Sequence, residues 1–248
     1  MLATIITARF SSSRLKGKIL KKINKNFCSI DILILRAQEI NLPIILCTSK
    51  HKTDNTLVAY VKKNYPSVKI YRGSLINKIK RWYDCFKKFN IEIGCMIDGD
   101  DLAFCYKLYK KSLNKLKKDR TIDLIQYSKK AIPGLFTYSI KFSALKKLKK
   151  IFYKHKDSEM VDPYFKKARL KKKIISCPKI MKNQYDIRLT MDYKEDLFFF
   201  KKLYKKNLFN SDSKYLISYL NKNNKLKKIN FFRALEWEKN QKQKLHII

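Results

Sequence analysis

The chain opens with the stretch ATIIT at Ala3–Thr7, followed at once by ARFSSSRLKGK at Ala8–Lys18. The first part is apolar and β-branched, and it predicts a buried strand. The second part predicts a loop that carries four cations and three consecutive hydroxyl groups. Anions bind at the carboxyl ends of strands in open α/β sheets, where backbone N–H groups, hydroxyls and cations converge. The loop therefore predicts a polyphosphate site, and a solvated basic turn is the alternative.

Beyond this stretch, predicted strands and helices alternate along the chain. The run at 43–49 is continuously apolar, which is typical of a parallel strand covered on both faces. We also predict strands at 68–71, 91–97, 122–127, near 174–175 and at 186–191, and helices at 30–40, 55–64, 106–116, 142–152, 193–206 and 211–220, with a further helix that ends at 89. Thr53 and Asp54 are expected to cap the helix at 55–64. This alternation indicates an α/β fold with a mostly parallel central sheet flanked by helices.

The composition is strongly basic, with 58 Lys and Arg residues against 20 Asp and Glu and a net charge of +38. Such a charge is usual in proteins that bind nucleic acid or anionic surfaces. Only nine of the 58 basic residues are arginine, the residue favoured for base and phosphate recognition, and the lysines are spread along the chain. We therefore expect no specific nucleic-acid partner and interpret the charge as compositional drift.

The six cysteines form no C-x-x-C pair, and most of them lie inside apolar runs. This pattern favours buried free thiols in a reducing compartment over disulfides or zinc. No segment approaches the eighteen apolar residues of a membrane span, and Arg9 interrupts the first apolar run early. A cytoplasmic protein without membrane insertion is the expectation.

Acidic side chains cluster at the ends of two predicted strands. Asp98, Asp100 and Asp101 follow the fourth predicted strand, and Asp192 ends a later one. Mg²⁺ takes one or two carboxylates and bridges to phosphate oxygens, so carboxylates beside a polyphosphate loop indicate a site for a hard divalent cation. The alternatives are a solvated turn in which Asp98 or Asp101 caps the next helix, and a helix N-cap at Asp192.

Three runs occur in order: ARFSSSRLKGKIL at 8–20, GDDL at 99–102 and RLTMDYKEDL at 188–197. They are similar to the motifs A-R-x-x-S-x-R-L-P-G-K-x-L, G-D-x-P and R-L-T-V-D-x-x-E-D-L of the cytidylyltransferase family. The resemblance is to the spore-coat polysaccharide biosynthesis and CMP-sugar synthetase types, among them CMP-KDO synthetase and acylneuraminate cytidylyltransferase. Lys16 and Leu102 stand where the family has proline.

The resemblance covers roughly residues 3 to 220 and implies a Rossmann-like, nucleotide-diphospho-sugar transferase (GT-A-like) fold. It implies a nucleotidyltransferase domain at 1–222, and we expect the basic tail at 223–248 to dock as a helix or to serve a homodimer. The implied reaction joins CTP and an acidic sugar or sugar phosphate, releases pyrophosphate, depends on Mg²⁺ and serves the synthesis of cell-surface polysaccharide.

The resemblance also implies a set of site residues. Those for catalysis are Arg9, Arg14 and Lys18; those for the nucleotide are Ala8, Arg9, Ser11, Ser12, Ser13, Arg14, Lys18 and Asp98; those for Mg²⁺ are Asp100 and Asp192; and those for the acceptor are Arg188 and Asp101. Arg188 has three open interpretations: it orients Asp192, meets an acidic sugar, or forms a structural ion pair. The acceptor is expected near Pro133–Gly134 and 162–164.

Two other classes of protein compete with this interpretation. Asp98-Gly99-Asp100 is a D-x-D sequence, which is typical of glycosyltransferases that consume a nucleotide sugar. A basic nucleic-acid-binding protein is the other alternative, and it predicts tight binding with a steep salt dependence. Release of pyrophosphate from CTP distinguishes a cytidylyltransferase from a glycosyltransferase and from a nucleic-acid-binding protein.

Overall fold

Seven strands form the central sheet of the computed structural model, which describes residues 1–12, 14–152, 158, 160–205 and 207–245. The strands are β1 (Leu2–Thr7), β2 (Ile44–Ser49), β3 (Lys69–Gly73), β4 (Ile93–Asp98), β5 (Leu124–Gln126), β6 (Tyr138–Lys141) and β7 (Lys172–Ile174). Their order in the sheet is β3-β2-β1-β4-β6-β5-β7. Within the described part of the chain, β6 alone runs against the others. The predicted mostly parallel α/β sheet is confirmed.

The register of the sheet places the ends of its central strands side by side. Thr7, the last residue of β1, lies opposite Cys47 in β2 and opposite Asp98 in β4. The loops that follow β1 and β4 therefore leave the sheet from the same edge. The opening loop and the acidic turn after Asp98 meet for this reason, although about 90 residues separate them along the chain.

The sheet is buried on both faces. Successive side chains of a strand point to opposite faces, so Ile5 packs in the core on one side of the sheet and Ile6 in the core on the other. Ile45 and Leu46 of β2 divide in the same way. A strand buried on both faces needs apolar residues at every position, which explains the continuous apolar runs in the sequence.

Helices cover the two faces. They are α1 (Ser29–Gln38), α2 (Asn55–Asn64), α3 (Lys78–Lys88), α4 (Tyr106–Lys118), α5 (Phe142–Phe152), α6 (Asp162–Lys167), α7 (Lys194–Tyr204), α8 (Ser213–Asn221), α9 (Asn224–Lys227) and α10 (Arg233–Leu245). The predicted helices at 55–64 and 142–152 are confirmed at both ends, and the other predicted helices differ by a few residues at their ends. None of the helices in the described ranges is long and apolar enough to span a membrane.

The predicted strand at 186–191 is wrong. The apolar residues Ile187, Leu189 and Met191 alternate with polar ones, which is why the sequence reads as a strand, but Arg188 between them is buried as well. The segment joins no β-ladder, and the amide of Met191 donates instead to the carbonyl of Asp100 at 2.9 Å. It is an extended segment that packs beside the end of the sheet, and its alternation reflects burial without strand pairing.

The six cysteines are buried with free thiols, as their apolar surroundings predict. The segment after residue 222 contains α9 and α10, and its side chains contact the region around α7. The division of the chain at residue 222, the homodimer and the cytoplasmic location stay predictions.

Candidate active site

The opening loop, residues 8–18, leaves β1 and ends in a 3-10 turn at Lys18–Leu20. The amide of Gly17 closes the loop by donating to the carbonyl of Phe10 at 3.2 Å. Gly17 has φ +65°, a conformation that glycine adopts at little cost, and a β-carbon there would lie 3.1 Å from the Phe10 ring. The closed loop ends with Lys18 directed at the acidic turn after β4.

The carboxylate of Asp54 anchors the loop from the neighbouring strand. It is fully buried and accepts hydrogen bonds from the amide of Phe10 at 2.7 Å, the hydroxyl of Thr48 at 3.0 Å and the amide of Ser49 at 3.0 Å. Asp54 occupies the N-cap position of α2, as predicted, but its side chain makes no cap hydrogen bond to that helix. A buried carboxylate is stabilised by several donors, and here these donors tie the loop to the end of β2.

Lys18 joins the two carboxylates that the sequence assigned to a metal. Its ammonium lies 3.0 Å from Asp100 Oδ2 and 3.0 Å from Asp192 Oδ1, and it donates to the Met191 carbonyl at 3.0 Å. The exposed fraction of the Lys18 side chain is 13%. The opening loop, the turn after β4 and the extended segment that ends at Asp192 therefore meet at the Lys18 ammonium.

Asp192 is buried among cations. One of its oxygens accepts from Arg14 at 2.6 Å as well as from Lys18, and the other accepts from Arg188 at 3.1 Å. Arg188 also donates to Asp196 at 3.0 and 3.2 Å. Asp196 accepts in addition from the amides of Asp192 and Tyr193, at 2.8 and 2.9 Å. Asp192 is therefore held through both its backbone and its side chain, and the alternative in which its carboxylate caps a helix is wrong.

The two carboxylates differ in their electrostatics. Burial alone would raise the pKa of Asp192, but Lys18 and Arg14 outweigh it and hold that pKa below the usual range. Burial raises the pKa of Asp100, with help from Asp192 and Asp98, and Lys18 offsets this only in part. Burial opposes the charge of Lys18, yet Asp100 and Asp192 prevail and raise its pKa. The site therefore holds Lys18 charged and Asp192 ionised.

Two other predicted site residues contact the chain at or just before the start of α3. Asp98 pairs with Lys78 at 2.7 Å, and the guanidinium of Arg9 donates to the carbonyl of Leu75 at 2.7 Å. Ala8 is buried, and a β-carbon at Gly99 would lie 3.0 Å from its side chain. Asp98 and Arg9 thus contact residues at or just before the start of α3, whereas Arg14 contacts Asp192.

The remaining predicted residues are more enclosed or lie at the rim. Asp101 is buried and accepts from the Thr137 hydroxyl at 2.7 Å, and burial together with Asp100 and Asp98 raises its pKa well above the usual value. Neither Asp98 nor Asp101 caps α4, which Cys105 precedes. Ser11 is exposed, and Ser12 accepts from the amide of Leu15 at 3.4 Å. Ser13 lies outside the described residues.

Three residues of this site were missed or misassigned from sequence. Lys78 is one lysine among many, and no local pattern marks it. Asp54 was interpreted as a helix cap, although the scarcity of carboxylates could have drawn attention to it. Asp196 lies within the RLTMDYKEDL run, but no role was assigned to it from the sequence. Each acts through tertiary contacts that sequence spacing does not show.

Asp100 and Asp192 have the donor chemistry of a magnesium site. Both offer carboxylate oxygens, both contact the same ammonium, and Asp100 keeps an exposed fraction of 27%. Among the described residues no group of three or more His, Cys, Asp or Glu side chains has the geometry of a complete metal cage. Mg²⁺ needs only one or two carboxylates when substrate phosphates supply the other oxygens, so this pair fits such an ion.

A mostly parallel sheet with a cationic loop after β1 and two carboxylates at the same edge defines a nucleotidyltransferase of the nucleotide-diphospho-sugar transferase fold. The chain belongs to the cytidylyltransferase family, whose sequence profile matches residues 3–224. It is 31% identical over 230 residues to an uncharacterized protein of Methanocaldococcus jannaschii, across 91% of this chain and 93% of that protein. It is therefore a cytidylyltransferase, as the sequence resemblance implies.

Solved structures show the same fold. A cytidylyltransferase from Leptospira borgpetersenii serovar Hardjo-bovis superposes with a TM-score of 0.78 at 22% identity, over 91% of this chain and 95% of that one. A CMP:2-keto-3-deoxy-manno-octonic acid synthetase in complex with CTP gives a TM-score of 0.60 at 13% identity, over 84% of this chain and 99% of that one. Family membership decides for the cytidylyltransferase interpretation over the glycosyltransferase and nucleic-acid-binding alternatives.

Proposed function

We propose that the enzyme transfers the CMP group of CTP to a sugar, either an acidic sugar or a sugar phosphate, and releases pyrophosphate. The acceptor oxygen forms a bond to the α-phosphorus while the bond from that phosphorus to the α,β-bridging oxygen breaks. The electron pair leaves with pyrophosphate, and a hydroxyl acceptor gives up its proton. The observation that carries the proposal is the Lys18 ammonium placed between Asp100 and Asp192 at the end of β1.

Arg14 and Lys18 are the proposed phosphate ligands. Negative charge builds on the leaving pyrophosphate, and cations fixed in advance stabilise that charge without reorganising. Both side chains are already oriented by Asp192, at 2.6 and 3.0 Å. We also propose that Arg9, Ser11, Ser12 and Ser13 help to bind the phosphates. Ala8 and Asp98 are proposed to contact the nucleoside part of CTP.

Asp100 and Asp192 are the residues that would hold Mg²⁺. When bound, such an ion polarises the α-phosphate and neutralises its charge. Lys18 then has two tasks, because it orients both carboxylates and donates to phosphate oxygens. The network around Arg188 keeps Asp192 in place, which supports the orienting role for Arg188 over direct contact with an acidic sugar.

The acceptor is proposed to lie near Pro133–Gly134 and residues 162–164. Asp162 accepts from the hydroxyl of Tyr138 at 2.9 Å and from that of Tyr127 at 3.4 Å, which forms a polar cluster in the region that the sequence assigned to the acceptor. Buried Asp101 is proposed to support this side through Thr137. The resemblance to the spore-coat polysaccharide biosynthesis type supports an acceptor destined for cell-surface polysaccharide.

The test is pyrophosphate release from the four ribonucleoside triphosphates, each with a panel of acidic sugars and sugar phosphates and with added Mg²⁺. We expect turnover with CTP and one class of acceptor. Lys18→Met should lower kcat/KM by about 10² or more, since it removes a charged donor aimed at the developing charge. Lys22→Met is the matched control, because Lys22 is exposed just beyond the loop.

Two results would contradict the proposal. One is wild-type protein that releases no pyrophosphate from CTP with any acceptor of the panel. The other is a folded Lys18→Met protein that turns over at the rate of Lys22→Met, because the site would then lie elsewhere.

A further inference from the structure

The segment that follows the family-matched residues supplies a buried side chain to the network behind Asp192. Asn230 is fully buried, and its amide group donates to Asp196 Oδ1 at 2.8 Å and to the Arg188 carbonyl at 3.2 Å. Asp196 is the residue that accepts from the amide of Asp192. The family match ends at residue 224, so this contact comes from outside the matched part of the chain.

We propose that Asn230 is a positioning residue for Asp192, acting through Asp196 and Arg188, and that the tail from residue 223 is therefore part of the working active site. This inference rests on the proposed role of Asp192 in holding Mg²⁺·CTP. Asn230 itself contacts neither the substrate nor the metal ion. Its effect reaches the site through the position of the Asp192 carboxylate.

The chemistry of the contact explains why this residue is an asparagine. Asp196 already accepts from Arg188 and from two backbone amides, so a neighbour must donate to be tolerated. The Asn230 Oδ1 atom is buried and has no hydrogen-bond partner in the described part of the chain. An unsatisfied buried oxygen costs stability, and an apolar residue would avoid that cost. The donated hydrogen bond to Asp196 is the gain that offsets it.

Two further residues tie the same tail to the neighbours of Asp192. Arg233 pairs with Glu195 at 2.9 and 3.0 Å, and its guanidinium lies 4.9 Å from the ring centre of Tyr193. Asn240 donates to the Tyr193 hydroxyl at 3.1 Å. The tail thus contacts Tyr193 and Glu195, which follow Asp192 in the chain, and Tyr193 in turn lies 5.8 Å from the guanidinium of Arg14.

The experiment compares the full-length wild-type chain with Asn230→Asp and with Asn224→Asp as the matched control. Both variants add one negative charge within the tail, but Asn224 is exposed, whereas the carboxylate introduced by Asn230→Asp would face that of Asp196. The affinity for CTP is measured by calorimetry with Mg²⁺ and with a chelator, and the ratio of the two affinities gives the metal-dependent gain. Kinetic constants for pyrophosphate release are measured beside it.

We expect Asn230→Asp to reduce the metal-dependent gain about tenfold or more, because changes to the partners of a metal ligand cost about 10- to 100-fold in metal affinity. Excess Mg²⁺ should restore much of its kcat. Asn224→Asp should change the gain by less than about twofold, as is usual for exposed positions. Asn230→Leu keeps a similar volume without a donor and should show a smaller loss in the same direction.

The outcomes separate the two proposals. A folded Asn230→Asp or Asn230→Leu protein with the wild-type metal-dependent gain overturns the positioning role and leaves the proposed function intact. Wild-type protein whose CTP affinity is independent of Mg²⁺ overturns both the positioning role of Asn230 and the proposed role of Asp192 in holding Mg²⁺·CTP. Absence of pyrophosphate release from CTP overturns the proposed function itself. If Asn230→Asp does not fold, Asn230→Leu decides, with circular dichroism and the unfolding midpoint as the check on its structure.

Discussion

The opening loop at 8–18 and the late segment at 187–196 supply opposite charges to one site, and different forces hold them. The loop follows a paired strand, is closed by a backbone hydrogen bond at a glycine, and is anchored by the single carboxylate of Asp54. The late segment lies outside the β-ladders and is held by the buried ions Arg188 and Asp196. Backbone geometry and the carboxylate of Asp54 therefore position the loop. Asp192 is instead positioned by buried charged partners, some near it in sequence and others on the opening loop.

The same contrast separates the two carboxylates. Asp192 has an exposed fraction of 1% and contacts Arg14, Lys18 and Arg188, whereas Asp100 has an exposed fraction of 27% and contacts Lys18. The pKa of Asp192 is lowered and that of Asp100 is raised. The fold thus favours the ionised form of one carboxylate and disfavours that of the other, so the two should respond differently to neutralisation.

The largest effect is expected from Asp192→Asn compared with Asp100→Asn. Asp192→Asn leaves three cations without their buried partner and should lower the free energy of unfolding by about 4 kcal/mol. Asp100→Asn should lower it by less than about 1 kcal/mol, because the ionised form of that partly exposed group is already penalised. Urea unfolding of both proteins measures the difference, and both should lose pyrophosphate release.

Equal loss of stability in the two variants would break the contrast between the carboxylates. It would mean that the cations around Asp192 gain no more from their partner than Lys18 gains from Asp100.

A smaller effect is expected from Gly134→Ala compared with Gly17→Ala, one glycine beside each region. Gly134 has φ +91°, and a β-carbon there would lie 2.4 Å from the backbone oxygen of Leu189 in the late segment. At Gly17 the nearest atom belongs to the Phe10 ring, which can move. We expect losses of about 3 kcal/mol for Gly134→Ala and about 1 kcal/mol for Gly17→Ala, measured by urea unfolding.

The order of the two glycine variants is the informative result. If Gly17→Ala loses as much stability as Gly134→Ala, the loop adjusts to a β-carbon no better than the late segment does. That result would contradict the difference between the contacts at the two positions.

The smallest effect concerns the anchor of the loop. Asp54→Asn keeps the size of the side chain but replaces one acceptor by a donor among the groups that donate to it, so stability should fall by about 1 to 2 kcal/mol and KM for CTP should rise. Asp84→Asn is the control, since Asp84 is partly exposed and forms an i,i+4 pair with Lys80, and this change should cost less than about 0.5 kcal/mol. A normal KM in Asp54→Asn would remove Asp54 from the support of the loop.

Much of the fold could be predicted because its information is local. Continuous apolar runs marked the central strands, and the parallel sheet follows from their alternation with helices. The predicted strand at 186–191 is wrong because alternating apolar residues occur both in paired strands and in extended segments that join no sheet. The hydrogen bond from the Met191 amide to the Asp100 carbonyl distinguishes the two cases, and that bond is a tertiary contact.

The sequence by itself determined the family, the cationic loop and the acidic residues, since each is a short run with its own chemistry. The tertiary structure decided which of these side chains meet: Lys18 between Asp100 and Asp192, Arg9 turned to Leu75, and Asn230 behind Asp196. The physical reason is the length scale of the interactions. Strand and loop preferences act within a few residues, whereas buried charges also take partners as far as 178 positions away along the chain.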